Sequence, residues 1–461
     1  DLGDIIRIMI VRVDIMTENT AHTRDSFTSK WGFILACIGS AVGMGNLWRL
    51  PVMVSQWGGM TFLLPFFLFV ILIGSTGVIE EFTFGRAAKS GPVGAFGLST
   101  EKHGNRKIGE ILGIIPILAS FSLAVGYLCV MGWIFKYTFM AVNGSMYSMG
   151  SNMNIITKTF ENSASPWGNN GWIIIAAIVS LCIMSLGIAN GIEKANRFLI
   201  PSLFIMFILL AVYIGFQDGA TEGYHYIFRL DPRGLKDIRV WIFAFGQAFF
   251  SLSISGNGSI IYGSYLNRSE DIPNSAFYVV LSDILIALLS SLVIIPAMAI
   301  GGAELNEGGP GLMFIYLVSV VNKMNAGRII GIVLYICILF AGVSSIINLF
   351  EAPVAYIEEK FKVNRRIATA IINISGLIIA LFIQGIVGSW MDAVSIYAAP
   401  LGALLAAVMF FWLNSREWVE SEVNTGANKP IGKWFYPLGK YIYCLLTLIA
   451  LVAGIICGGI G

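Results

Sequence analysis

Long apolar runs, separated by short polar and charged clusters, dominate the chain. Eleven of them, at about 31–54, 59–84, 108–142, 171–190, 196–216, 240–265, 274–301, 326–356, 367–387, 391–413 and 439–459, approach or exceed the roughly 20 residues that a helix needs to cross a bilayer. Three windows, 50–79, 240–267 and 367–391, hold no Asp, Glu, Lys or Arg. Only helices and closed barrels satisfy their backbone groups in hydrocarbon. The pattern therefore predicts an all-α membrane protein with eleven transmembrane helices.

Two runs are interrupted. The first carries Gly39-Ser40-Ala41-Val42-Gly43-Met44-Gly45-Asn46, and the sixth carries Ser251-Leu252-Ser253-Ile254-Ser255-Gly256-Asn257-Gly258-Ser259. Each interior glycine weakens a helix by about 1 kcal/mol relative to alanine. Broken backbone at mid-membrane is tolerated only where it is buried or lines a cavity. Close helix packing through small residues would explain one such tract. Two tracts five helices apart point further, because interrupted helices at matching positions in two halves mark a transporter's central site. The expected architecture is a 5+5 inverted repeat with broken helices 1 and 6. The halves cover about 31–216 and 240–413, and the helix at 439–459 lies outside the repeat.

Charge sets the orientation. With the N-terminus in the cytoplasm, 20 Lys and Arg fall inside, 8 outside and Arg49 within the membrane region. The positive-inside rule favours this placement, and an odd helix number puts the C-terminus outside. Residues 1–25 are interrupted by Asp and Arg and lack a signal-peptide cleavage pattern. They read as a cytoplasmic N-terminal tail, either a surface helix or poorly ordered, ahead of a single transporter domain at 26–461.

Composition narrows the classes. Hydrophobic residues make up 56% and charged residues 12%, half the usual charged share, which excludes an ordinary soluble enzyme and a disordered chain. A net charge of +2 gives no nucleic-acid footprint. The six cysteines form no close pair and only three histidines occur, so neither a zinc site nor a disulfide framework is indicated. No nucleophile–base set points to catalysis. Asp283 stands alone in an apolar span, where a carboxylate costs about 2.5–3.5 kcal/mol and so calls for a cation or a proton.

The segment Gly39-Ser-Ala-Val-Gly-Met-Gly-Asn-Leu-Trp-Arg-Leu-Pro51 resembles the core motif of the neurotransmitter:sodium symporter family, bacterial amino-acid branch, with the LeuT-type fold. Glu81-Phe-Thr-Phe-Gly-Arg86, Gly246-Gln-Ala-Phe-Phe-Ser-Leu-Ser253, Tyr262-Gly-Ser-Tyr265, Ala341-Gly-Val-Ser-Ser345 and Pro400-Leu-Gly402 follow in the family's order. The resemblance runs from about residue 26 to 460. It implies symport of a small α-amino acid with sodium across a plasma membrane, here a bacterial inner membrane. The implied partners are the amino acid and the lipid bilayer, with no nucleic acid and no organic cofactor, in a monomer or weak dimer.

The resemblance also implies two sodium sites. The first would use the Ala41 carbonyl, Asn46, Ser251, Asp283 and the substrate carboxylate. The second would use the Gly39, Val42 and Ala341 carbonyls with the Ser344 and Ser345 hydroxyls. Chloride-dependent relatives carry a neutral residue where Asp283 stands, so chloride independence is expected, with proton release from Asp283 on sodium binding. Helix-end N–H groups favour anions, and the Gly43-Met44-Gly45 backbone would hold the carboxylate together with Tyr127. Carbonyls near Phe250, Ser251 and Ser253 would take the amino group. Leu123, Tyr127, Phe250, Ser255, Gly256, Ser345 and Leu349 would surround the side chain. Gly43, where monoamine carriers have Asp, favours an α-amino acid. Gly256 and Asn257 depart from the family pattern, and a bulky apolar or aromatic side chain is the leaning.

By the same resemblance Arg49 and Asp392 form an outer ion-pair gate over Phe250 and Tyr127. Trp31 and residues 26–30 form an inner latch in which Arg24 or Lys30 would meet Asp271 or Glu358. Gly191 and Pro201, spaced Gly-x9-Pro, would let the fifth helix unwind. Glu81 and Glu351 would bond broken-helix backbone or water. The alternatives are a sodium-coupled amine or osmolyte carrier, which Gly43 and the absence of a tryptophan cluster oppose, and a non-transporting membrane sensor of the same fold.

Overall fold

A computed structural model describes residues 25–43, 45–254, 258–302 and 311–458. Among these residues all regular structure is helical. The tail expectation for residues 1–25 falls, except for Asp25, outside the described residues.

The first span runs from Lys30–Ala41, through a π-helical turn Gly45–Arg49, into Leu50–Trp57, with a bend of 52°. The second is Met60–Ala88 and the third Arg106–Asn143. Asn170–Ser185 forms the fourth and Ile188–Gly215 the fifth. The sixth is split into Ile238–Ser251 and Gly258–Ser264. Ile272–Ile300 and Gly327–Phe361 are the seventh and eighth. The ninth, Arg365–Ile383, is followed by a 3-10 turn Gln384–Ile386 and by the tenth, from Val387–Ala393 to Ala399–Phe411. The eleventh covers Phe435–Ile456.

Among the described residues length and apolarity assign seven crossings, or eight with the bent first pair, against the eleven expected. The difference follows from the helix lengths. The ninth and tenth spans join into one 47-residue helical run, and the fourth and the halves of the sixth are short. The boundaries differ from the sequence expectation by up to about five residues at most ends, and the largest difference lies between the fourth and fifth spans. The fourth span ends at Ser185 rather than 190, because Gly187 turns the chain at φ 89° and the fifth begins at once at Ile188 rather than at 196.

The distribution of polarity is inverted relative to a soluble protein. Ile71, Phe198, Leu209 and Phe382 lie exposed on the outer surface, whereas Asn46, Gln247, Asp283 and Glu351 are buried. An apolar girdle with polar groups inside is what a lipid solvent selects. Arg86, from the Glu81–Arg86 motif, is also buried. Its guanidinium donates to the carbonyls of Glu270 at 2.9 Å and Thr425 at 2.8 Å, and to that of Glu422. It thereby ties the second span to two polar connections, at the start of the seventh span and after the tenth.

Candidate functional site: two broken helices around a polar cavity

The two breaks face each other. In the first span the helix closes at Val42, whose N–H returns to the Ile38 carbonyl, and Gly43 follows in the loosened turn. A Cβ on Gly43 would sit 1.9 Å from Ser345 Oγ, so only glycine lets the eighth span approach this closely. In the sixth span Ser253 adopts φ +58°, a conformation uncommon for a non-glycine residue. Its hydroxyl donates to the Ser40 carbonyl at 2.6 Å, pinning one break to the other.

Beside the breaks lies a cluster of oxygens. Asn46 Nδ2 and Ser251 Oγ both donate to Asp283 Oδ1, at 2.7 and 2.6 Å. Ser251 Oγ also lies against Asn46 Oδ1. All three side chains are buried. One hydroxyl proton cannot serve two acceptors fully, and Asp283 Oδ2 has no hydrogen-bond partner among the described residues. Hard cations take oxygen ligands from carboxylates, amides and hydroxyls, and this donor set fits a sodium ion. Gln247, unforeseen from sequence, closes the cluster by donating to the Gly45 carbonyl at 3.0 Å.

The second expected sodium site lies where the eighth span meets the first. Ser344 Oγ donates to the Ala341 carbonyl at 2.8 Å, and Ser345 Oγ is buried without a partner among the described residues. Gly39 is approached by the fifth span, since a Cβ there would lie 2.1 Å from Asn196 Oδ1. Asn196 donates its amide to the Ile192 carbonyl at 2.9 Å, which leaves Oδ1 buried and unpartnered. The sequence reading missed Asn196, which stands between Lys194 and Arg197 in a charged stretch and carried no signal of its own.

A small cavity lies between the breaks. Ala41, Gly43 and Gly45 of the first span line it, with Leu123 and Tyr127 of the third. Phe250, Ser253, Ser345 and Leu349 complete the expected set. Ser251 belongs to the oxygen cluster instead. Met44, Ser255 and Gly256 lie outside the described residues, as does Asn257. Ser40, Ser120, Gly258 and Asn348 also line the cavity and were not foreseen.

The proposed gates are placed as follows. The Arg49 guanidinium lies over the Phe250 ring at 4.6 Å from its centroid. Asp392 is exposed at the start of the tenth span, and no ion pair joins it to Arg49 among the described residues. Trp31 is exposed, with its ring 5.3 Å from that of Tyr278. Gly191 sits in the π-helical turn Ile188–Glu193, and Pro201 lies within Lys194–Gly215. Arg24 falls outside the described residues. Asp271 accepts from the backbone N–H of Asn274 and of Asn428, while Glu358 lies 3.4 Å from Arg365.

Arg365, which the sequence did not single out, organises this end. It lies 2.7 Å from Glu351 and 3.9 Å from Asp25, and donates to the Met184 carbonyl at 3.0 Å. Glu351 also accepts from Tyr265 at 2.6 Å. The expectation for it was broken-helix backbone or water, and its partners among the described residues are the side chains of Arg365 and Tyr265. Buried Glu193 accepts from Thr28 N at 2.8 Å, Thr28 Oγ1 at 2.6 Å and Ser29 Oγ at 3.3 Å, and from Arg197.

Two broken helices enclosing a cavity and an oxygen cluster inside an apolar bundle define a membrane carrier coupled to a cation. The chain belongs to the sodium:neurotransmitter symporter family, whose sequence profile matches residues 24–157 and 147–457. It is 29% identical over 453 residues to an uncharacterized sodium-dependent transporter of Methanocaldococcus jannaschii, covering 93% of this chain and 89% of that one. It is 29% identical over 456 residues to the uncharacterized sodium-dependent transporter YhdH of Bacillus subtilis, covering 92% and 96%. Among solved structures, the crystal structure of MhsT in complex with L-phenylalanine superposes with a TM-score of 0.82 at 30% identity, covering 94% of this chain and all of that one. The chain is thus a sodium-dependent transporter.

Proposed function

We propose that the protein is a symporter that carries an α-amino acid together with two sodium ions by alternating access, independently of chloride, in a bacterial inner membrane. One observation carries this reading. The cluster of Asn46, Ser251 and Asp283 sits against the break that lines the cavity, so cation and substrate sites share one wall. A substrate carboxylate at Gly43 and Gly45 would add a negative oxygen beside that cluster, which couples binding of the two solutes. That MhsT was crystallised with L-phenylalanine supports an amino acid, and Leu123, Phe250 and Leu349 give the cavity an apolar wall for a sizeable side chain. Asp283 supplies a negative charge where chloride would otherwise serve, and that charge appears as it releases its proton when sodium enters.

The energetics suffice. A tenfold gradient is worth about 1.4 kcal/mol, and a charge crossing 100 mV about 2.3 kcal/mol. Two sodium ions then supply roughly 7 kcal/mol, which supports about 10⁵-fold accumulation of a zwitterion.

The test is uptake of a labelled amino-acid panel into proteoliposomes, with sodium or choline outside, with and without chloride. Sodium-dependent, chloride-indifferent uptake is expected. Asp283→Asn should lower uptake at least tenfold and make the residue respond to chloride. A strict chloride requirement in the unaltered protein would end the argument from Asp283, and absence of sodium-dependent uptake of any amino acid by folded protein would end the reading.

A further inference from the structure

The wall of the cavity is not uniformly apolar. Asn348, on the eighth span one turn after Ser345, is 2% exposed and belongs to the cavity lining. Its Nδ2 donates to Ser40 Oγ. Its Oδ1 is buried and has no hydrogen-bond partner among the described residues. Buried polar atoms in native proteins are nearly always paired, and an unpaired one needs an explanation. Space for a partner is provided by Gly258, where a Cβ would stand 3.0 Å from Nδ2 and 3.5 Å from Oδ1 of Asn348.

The orientation of the amide is fixed from behind. Ser40, which holds Nδ2, also accepts from Ser253 through its carbonyl. Both broken helices therefore position Asn348. Rotating the amide by half a turn would only exchange the free atom, so one polar end of the carboxamide faces the cavity either way. No charged side chain lies in the described lining. A substrate side chain bearing a full charge would be buried without a counter-ion, which is costly. A neutral hydroxyl or carboxamide satisfies Asn348 in both amide orientations, since each can donate and accept.

Resting on the reading of this cavity as the amino-acid site, we propose that Asn348 is a specificity-determining residue that selects a side chain with an apolar body and a neutral hydrogen-bonding tip. The body would pack on Leu123, Phe250 and Leu349, and the tip would meet Asn348. Sites built to hydrogen-bond a substrate group discriminate strongly against an analogue lacking it, because the site's own polar atom is then left unpaired. A water held by Asn348 would satisfy the amide equally well, and would leave no such discrimination.

Near-isosteric pairs separate these cases: threonine against valine, glutamine against methionine, and tyrosine against phenylalanine. Sodium-dependent binding to the purified full chain and competition for uptake into proteoliposomes are measured for each pair. At least one polar member should exceed its apolar twin by about tenfold or more. Asn348→Leu, close in volume, should erase or invert that ratio. Equal or better binding of all three apolar members to the unaltered protein overturns the proposal, and so does an unchanged ratio in Asn348→Leu. The binding comparison on the unaltered protein stands even if the variant fails to fold. Sodium-dependent uptake without polar preference rejects this inference alone, whereas no sodium-dependent binding or uptake of any of the six rejects the symporter reading and this inference with it.

Discussion

The two ends of the bundle are held by different chemistry. At the end carrying Asp25–Ser29, two buried carboxylates gather the chain. Glu351 takes Arg365 and Tyr265, and Glu193 takes Thr28, Ser29 and Arg197. At the other end Arg49 rests on the Phe250 ring and Asp392 stays exposed. A buried carboxylate that loses its partner is an uncompensated charge, so the first end opens only if its carboxylates are rehydrated. A cation on an aromatic face is worth about 0.5–2 kcal/mol, so the second end opens at small cost. One end is thus held by buried carboxylates and their partners, and the other by a cation on an aromatic ring.

The comparison breaks most completely at Arg365. Arg365→Met removes the countercharge of Glu351 and the bonds to Asp25 and Met184. A cost of about 3–5 kcal/mol follows from an unpaired buried charge, read as a lowered unfolding midpoint. The opening should also be directional. Cys37, buried in the first span, becomes reactive to an impermeant maleimide from the predicted cytoplasmic side, in a background lacking the other cysteines. Unchanged Cys37 labelling in a folded variant would show that this cluster does not hold the end shut.

Glu193→Gln is the milder cut. A glutamine oxygen still accepts from Thr28 or Ser29, but the charge that draws Arg197 and shortens the bonds is gone. Charge-assisted hydrogen bonds are worth about 1.5–3 kcal/mol each, and part is retained, so a loss of about 1–2 kcal/mol is expected. Cys37 labelling should rise less than in the Arg365 variant. Because Glu193 ends the π-helical turn containing Gly191, the sodium concentration for half-maximal uptake should increase as well. An effect on stability with none on sodium dependence would confine Glu193 to anchoring the N-terminal segment.

The difference between the two ends was only partly legible in the sequence. Eleven apolar runs and two glycine-serine breaks were visible because lipid imposes long periods and glycine interrupts them. Asp283 could be singled out as a lone carboxylate in an apolar span, and Asn46 and Ser251 because they fall within motifs that carry the resemblance. Arg365 could not. It lies in a basic pair between two spans, and sequence alone does not distinguish a charge that turns inward to Glu351 from its solvated neighbour Arg366. Asn348 and Asn196 were passed over for a related reason. Asn348 is a lone amide in an apolar run and Asn196 one polar residue among charged ones, and the meaning of each rests on one orphaned oxygen that only the packed helices reveal. The boundary between the fourth and fifth spans was misread because the apolar run continues past Gly187 to Ile192, whereas the structure reverses the chain at Gly187 and places Gly191 in the first turn of the fifth span.

At the Arg49 end the effects on stability should be small. Arg49→Lys keeps the charge but loses the planar guanidinium that lies over Phe250, and Lys is not equivalent to Arg on an aromatic face. A loss of about 0.5–1 kcal/mol is expected, with slowed uptake. A loss as large as that of Arg365→Met would erase the contrast between the ends.

Asp392→Asn should be the least damaging to the folded protein and the most informative about motion. Asp392 is exposed and makes no ion pair with Arg49 among the described residues, so its neutralisation should change the unfolding free energy by no more than about 0.5 kcal/mol, as for an ordinary surface substitution. Uptake is a different matter if Arg49 and Asp392 meet when the substrate is enclosed. The variant then loses an interaction made only in the closed state, and such an interaction alters the rate of closure without altering the stability of the open form. A several-fold slower sodium-driven uptake at unchanged stability and unchanged substrate binding is the expected result. Equal uptake would leave Arg49 to close the cavity through Phe250 alone, and a destabilised protein would mean that Asp392 already has a structural partner in the open form.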